Sequence, residues 1–246
     1  MKLRAIALAK KELIEAWRTT PIYIALTLFY STFLQWFIVR NYVKMVEADA
    51  IELDPALGMT SEDLLQMAAG FSLVYVAPMV IPFFANAILS RSLIEERFKQ
   101  SLMPILSTGV GPGFVWVVKL LAAFAFSYPL AMLCLLIDVL VIRFHFGLEV
   151  VFTPEMIVTA AVVSPLVSLG VLALMSFLFW TVRHANMLAA FLPVILSLGL
   201  WAYVSAHPTT GVLLYLVALA LGGAALVIAV CTWIVSRLSR QFVVGL

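Results

Sequence analysis

Apolar positions in this chain do not alternate with polar ones. They come in long unbroken runs separated by short polar stretches. Six runs are long enough to cross a hydrocarbon layer: Ile22–Val39, Met67–Leu89, Phe114–Ile142, Met156–Val182, Met187–Ala206 and Val212–Val235. About 20 residues at a rise of 1.5 Å each suffice for one crossing. Runs without a period of two predict helices rather than barrel strands. The third run is the longest and carries Pro129, which predicts a tilt or a kink there. The pattern predicts an all-α polytopic membrane protein, a single transmembrane domain over residues 1–246.

Composition sharpens this reading. Hydrophobic residues make up 64% of the 246 and charged residues 11%, with a mean hydropathy of +1.12. A soluble domain carries about 45–50% and about 25%. So much apolar surface excludes a soluble enzyme or a nucleic-acid-binding module. It also excludes disorder, which needs low hydrophobicity and high net charge. Cys134 and Cys231 both lie inside apolar runs and read as small core residues rather than as a disulfide framework or a zinc site.

The net charge of +2 says less than its distribution. With the N-terminus inside, 12 of the 15 Lys and Arg residues fall on the inner side and Arg40, Lys44 and Arg143 on the outer. Lys119 is counted among the inner twelve. The positive-inside rule then places both termini in the cytoplasm. The expected location is the cell (plasma or inner) membrane. The N-terminus does not read as a cleavable signal, because Lys10, Lys11, Glu12 and Glu15 interrupt any h-region.

Residues 1–20 predict an amphipathic interface helix. Leu3, Ile6, Leu13, Ile14 and Trp17 share one face, and Arg4, Lys11, Glu15 and Arg18 the other, with Lys10 adding to the charge. The Lys11–Glu15 and Glu15–Arg18 spacings add helical support. Pro21 ends the helix. The polar face suits anionic lipid or a cytoplasmic subunit. The acidic outer loop from Arg40 to Gln66 predicts a short helix starting at Thr60, with Glu62 and Asp63 in its first turn.

The loop between the second and third runs is the most informative. Ser92 and Glu95 form a capping-box pair. Ser101 can cap a second short helix with Pro104 in its first turn, and Gly109 suits the left-handed C′ position. The loop over 92–109 therefore predicts a short helix hanging below the membrane, with Leu102, Ile105 and Leu106 apolar and Glu95, Glu96 and Arg97 charged.

No segment matches the nucleotide-binding pattern G-x-x-x-x-G-K-S/T. No His or carboxylate cluster has metal spacing, and His145, His184 and His207 fall at loop edges. No catalytic constellation is visible, so the chain is not read as an enzyme. Asp138 is the clearest ionisable residue at depth. It reads either as a structural polar contact or as part of a transport path. Asn86 and Gln35 are polar positions expected to face other helices. Gly222, Gly223, Ala224 and Ala225 permit close helix contact, inside the subunit or between subunits.

These features together resemble the membrane subunit of an ABC-2 type transporter. Glu95-Glu96-Arg97 stands where that family carries charges. Ser101-Leu102 stands for its Thr-Leu, Ile105-Leu106-Ser107-Thr108 matches the end of its coupling helix, and Lys119-Leu120-Leu121 its start of span three. The tail Arg237-Leu238-Ser239-Arg240-Gln241-Phe242 resembles its basic close. Gln100, Met103 and Gly109 depart from the family's Gly, Glu and Pro. The resemblance implies six spans and a coupling helix between spans two and three. It implies a partner ATP-binding cassette subunit carrying ATP and Mg, and a second membrane subunit forming a homo- or heterodimer. No cofactor is expected on this chain and no nucleic acid partner. The implied function is permeation, in the outward direction, of a hydrophobic or amphipathic substrate. Asn86 and Asp138 are its candidate path residues. The alternative is an ion-coupled secondary transporter or channel that uses Asp138.

Overall fold

A computed structural model describes residues 21–47, 80–89, 110–150, 154–181 and 213–237, together with 6, 7, 10, 11, 14, 92 and 152. Among the described residues there is helix and no strand. The elements are α1 (Pro21–Glu47), α2 (Val80–Leu89), α3 (Pro112–Phe146), α4 (Pro154–Val158), α5 (Ser164–Thr181) and α6 (Leu213–Arg237). A π-helical turn, Thr159–Val163, joins α4 to α5 without a break. Three stretches are long and apolar enough to cross a membrane: Pro21–Asn41, Pro112–Phe146 and Met156–Thr181; Val80–Leu89 and Leu221–Arg237 are shorter apolar helices. This is the composition and form of a membrane protein.

The ends of α3 follow from local chemistry. Gly111 is extended and its carbonyl accepts from the N–H groups of Phe114 and Val115. Pro112 opens the helix, where a missing N–H costs nothing. Gly147 closes it at φ 67°, a left-handed conformation that glycine adopts without a Cβ penalty. Pro129 lies within α3, exposed on its surface, and the helix runs through it. The π turn also has a cause. Pro165 has no N–H for the carbonyl of Ala161, four residues back, and its ring crowds that carbonyl. Widening the turn relieves the clash. The N–H of Ser164 accordingly donates to Thr159 O, five residues back.

Pairs of contacts fix the helix directions. Ser31 meets Asp138 and Trp36 meets His145, so α1 runs parallel to α3. Phe84 stacks on Phe126 and Ser92 bonds Lys119, so α2 runs against α3. Tyr128 bonds Ala161 in the π turn, while Phe179 and Trp180 share a core with Trp116, so α5 also runs against α3. The C-terminal end of α6 lies on the N-terminal end of α3, where Gly113 faces Ser236 and Thr232, and Ala224 packs on Gly170 of α5. Hence α5 and α6 run the same way.

The main core lies between α2, α3, α5 and α6, with Trp116, Phe84, Leu89, Leu120, Leu172 and Met175 fully buried. Cys134 and Cys231 are free, buried core residues, as their apolar settings predict. The sequence runs locate α1, α3, the α4–α5 unit and α6, with differences at the ends. α1 continues beyond Val39 to Glu47, so Arg40 and Lys44 are helical rather than in a loop. α3 starts two residues earlier and ends four later than the run Phe114–Ile142. The expected spans over 187–206 and 67–79 and the outer helix starting at Thr60 lie outside the described residues.

Candidate functional site

The polar residues of the apolar helices gather where α1 meets α3. Thr27, Ser31 and Gln35 recur at a spacing of four on α1, which stacks them on one face. All three are buried. Opposite them on α3 stand Ala131, Cys134 and Asp138, also buried. The Ser31 hydroxyl donates to Asp138 Oδ2 at 3.0 Å. Thr32, next on α1, also lies within electrostatic reach of the carboxyl group. The Asp138 side chain is 0% exposed, and its Oδ1 has no hydrogen-bond partner among the described residues. Val39, Ile142 and Leu148 close the seam on the side towards the end of α3. Val80 and Ile81 of α2, with Ala131 and Cys134, pack the other side. Other buried hydroxyls are satisfied within their own helices: Ser127 by Ala123 O, Ser168 by Ser164 O and Ser176 by Ala173 O.

A second buried charge lies towards the other end of α3. Lys119 is 1% exposed, and its Nζ donates to Ser92 Oγ at 2.6 Å. Lys119 falls within the apolar run Phe114–Ile142, and the structure sets it two turns inside α3, with its ammonium held by a hydroxyl from the segment after α2. Trp116, one turn earlier, is fully buried.

Asn86 and Asp138 are not brought together. The Phe84–Phe126 stack sets Asn86 beside the middle of α3. Asp138 lies roughly 18 Å further along that helix, at 1.5 Å per residue. Asn86 is half-buried, with a buried Oδ1 that accepts no hydrogen bond among the described residues. Lys10 and Lys11 are helical, and Ile6 and Ile14 on the same segment are exposed, consistent with an apolar face left for lipid. Glu15, Trp17, Arg18, Glu95, Glu96, Arg97, Ser101, Leu102, Ile105 and Leu106 lie outside the described residues.

Sequence reasoning found Asp138 and Gln35 and missed Ser31, Thr27 and the burial of Lys119. The signal for the first two was present: polar residues every fourth position in an otherwise apolar helix. Among the described residues no group of three or more His, Cys, Asp or Glu could hold a metal ion. No protein-family model, curated protein or solved structure matches the chain.

Proposed function

We propose that this chain is the membrane-spanning subunit of an ABC-2 type transporter. It exports a hydrophobic or amphipathic compound, driven by ATP hydrolysis on a separate nucleotide-binding subunit. The observation that carries the reading is the bond between Lys119 and Ser92. It ties α3 to the first residue of the 92–109 segment, the segment that resembles a coupling helix. A displacement of that segment by a partner pulls on a buried group in α3, not on a slack loop.

The helix directions support a six-span arrangement. α1 and α3 run in parallel with α2 opposed, and α5 and α6 run in parallel with each other. A parallel pair needs a return crossing between its members, and the apolar run Met187–Ala206 lies between α5 and α6. With both termini in the cytoplasm, the 92–109 segment falls on the side where ATP is found. The lipid-facing surface is strongly apolar, with Phe29, Phe33 and Phe37 stacked in sequence along α1. Such a surface suits a substrate that partitions into the bilayer. A second copy or a related membrane subunit completes the path.

The test is purification of the tagged full-length chain from its native membrane in mild detergent, followed by intact-complex mass measurement and an ATPase assay. A stoichiometric ATPase partner, lost on Leu102→Asp with Leu106→Asp, supports the reading. A chain that purifies alone and moves solute along an ion gradient without ATP overturns it.

A further inference from the structure

We infer that the α1–α3 seam holds a binding site for one small monovalent cation, a proton or Na⁺, formed by the Asp138 carboxylate with the Ser31 and Thr32 hydroxyls. The inference does not rest on the ATPase reading; it holds whichever energy source drives the chain.

A carboxylate within a hydrocarbon layer costs several kcal/mol unless it is neutralised. Asp138 is 0% exposed, and its neighbours among the described residues include the neutral hydroxyls of Ser31 and Thr32. A hydroxyl supplies a dipole and no counter-charge. Among the described residues the elements packed on the carboxyl group offer none either. On α1 its neighbours are Ser31, Thr32 and Gln35. On α3 the one titratable neighbour is Cys134, one turn before. On α2 the described residues Val80–Leu89 contain no ionisable side chain. Arg143, His145 and Arg40 are exposed; Arg143, the nearest cation on α3, stands five residues on, about 7.5 Å along the helix, on its exposed surface. Lys119, the other buried charge, is about 28 Å away along α3 at 1.5 Å per residue. The carboxyl group is therefore built to be neutralised by something that binds it.

The site's chemistry selects what that is. Oδ1 is buried and lacks a hydrogen-bond partner among the described residues, so one oxygen is open to a cation or a proton. Ser31 Oγ keeps a lone pair after donating, and Thr32 Oγ1 is a second hydroxyl oxygen at the same level. The set is all oxygen with a single negative charge. Oxygen donors favour hard cations over transition metals. One carboxylate neutralises one monovalent charge, whereas a divalent ion would leave the seam positive. Because Ser31 is on α1 and Asp138 on α3, occupation of the site joins the two helices.

The experiment uses the full chain in lipid nanodiscs, with thermal unfolding followed by tryptophan emission. NaCl is exchanged for choline chloride at matched ionic strength, in mildly acidic and mildly alkaline buffer. Wild type, Asp138→Asn and Ser31→Ala are compared. If Na⁺ is the ligand, it raises the wild-type Tm in alkaline buffer. If a proton is the ligand, the Tm is higher in acid, Na⁺ has no effect, and a carboxylic-acid carbonyl band is present in the infrared spectrum and absent from D138N. In both cases D138N loses the response. Ser31→Ala keeps the carboxylate and shifts the Na⁺ or proton midpoint roughly tenfold, the value of one charge-assisted hydrogen bond. Its readout stands even where D138N fails to fold. Equal responses from wild type and D138N, or an unshifted midpoint in S31A, overturn the inference.

Discussion

Tyr128 donates its hydroxyl to the carbonyl oxygen of Ala161 at 3.1 Å, and Ala161 is the carbonyl that Pro165 leaves without its α-helical donor. One helix thus repairs the backbone of another. Tyr128→Phe is expected to lower stability by about 1 kcal/mol, the usual size of an interhelical hydrogen bond in lipid. Pro165→Ala restores the N–H and lets the turn tighten. In that background Y128F is expected to cost much less. A double-mutant cycle of unfolding in bicelles measures the coupling; purely additive losses would falsify the repair.

The Lys119–Ser92 bond has an ionised donor. Ser92→Ala is expected to destabilise the chain by about 1.5–3 kcal/mol, the range for hydrogen bonds to charged groups. Lys119→Met removes this bond together with every other contact of the Nζ. Because both variants break the same bond, the double variant is expected to lose less than the sum of the two single losses. Melting temperatures of the three variants in one detergent check the coupling. Fully additive losses contradict it.

Two glycines separate close approach from ordinary contact. A Cβ at Gly113 would meet Ser236 Cβ at 3.1 Å and Thr232 O at 3.3 Å, whereas a Cβ at Gly170 would meet Ala224 Cα at 3.5 Å. Gly113→Ala therefore pushes α3 and α6 apart and is expected to cost about 1–2 kcal/mol, in the overpacking range. Gly170→Ala is expected to be tolerated, since it also favours the helix by about 1 kcal/mol. Thermal shifts of the paired variants give the comparison.

Cys134 and Cys231 are both buried. Neither is expected to react with a membrane-permeant maleimide in the folded chain, and both should react after unfolding in detergent. Mass spectrometry counts the adducts. Labelling of either thiol at the rate of a free one in the folded state would place it on the surface.

The long apolar runs made the helices legible because hydrocarbon imposes one rule on every residue between its two faces. Helix ends were less legible. The run Ile22–Val39 stops at the first charge, yet α1 carries on. The Arg40 guanidinium lies 4.7 Å from the Trp36 ring centroid, so a charge four residues on is held on the helix surface without ending it. Lys119 was legible in part. It stands inside the run Phe114–Ile142, but only the position of Ser92 shows how its charge is accommodated there.

The candidate seam was half legible. Asp138 stood out as the single carboxylate in its run. Its partner Ser31 is 107 residues away, and no local pattern records that pairing. The π turn was invisible in Thr159–Val163, an ordinary apolar stretch. Pro165 was its signal, since a proline within a helix always leaves a carbonyl to be accounted for.

Among the described residues, side-chain hydrogen bonds join α3 to other segments at Lys119, Tyr128 and Asp138. By helix rise these points are about 14 and 15 Å apart along its axis. At about 100° per residue, the Lys119 and Tyr128 attachments leave on nearly opposite sides, and the Asp138 attachment leaves at a third bearing. α3 is thus guyed like a mast. Spinning it about its own axis strains every stay at once, while leaning it slackens some and tightens others. A tilt of α3 about the Tyr128 attachment would carry its Lys119 and Asp138 levels in opposite directions.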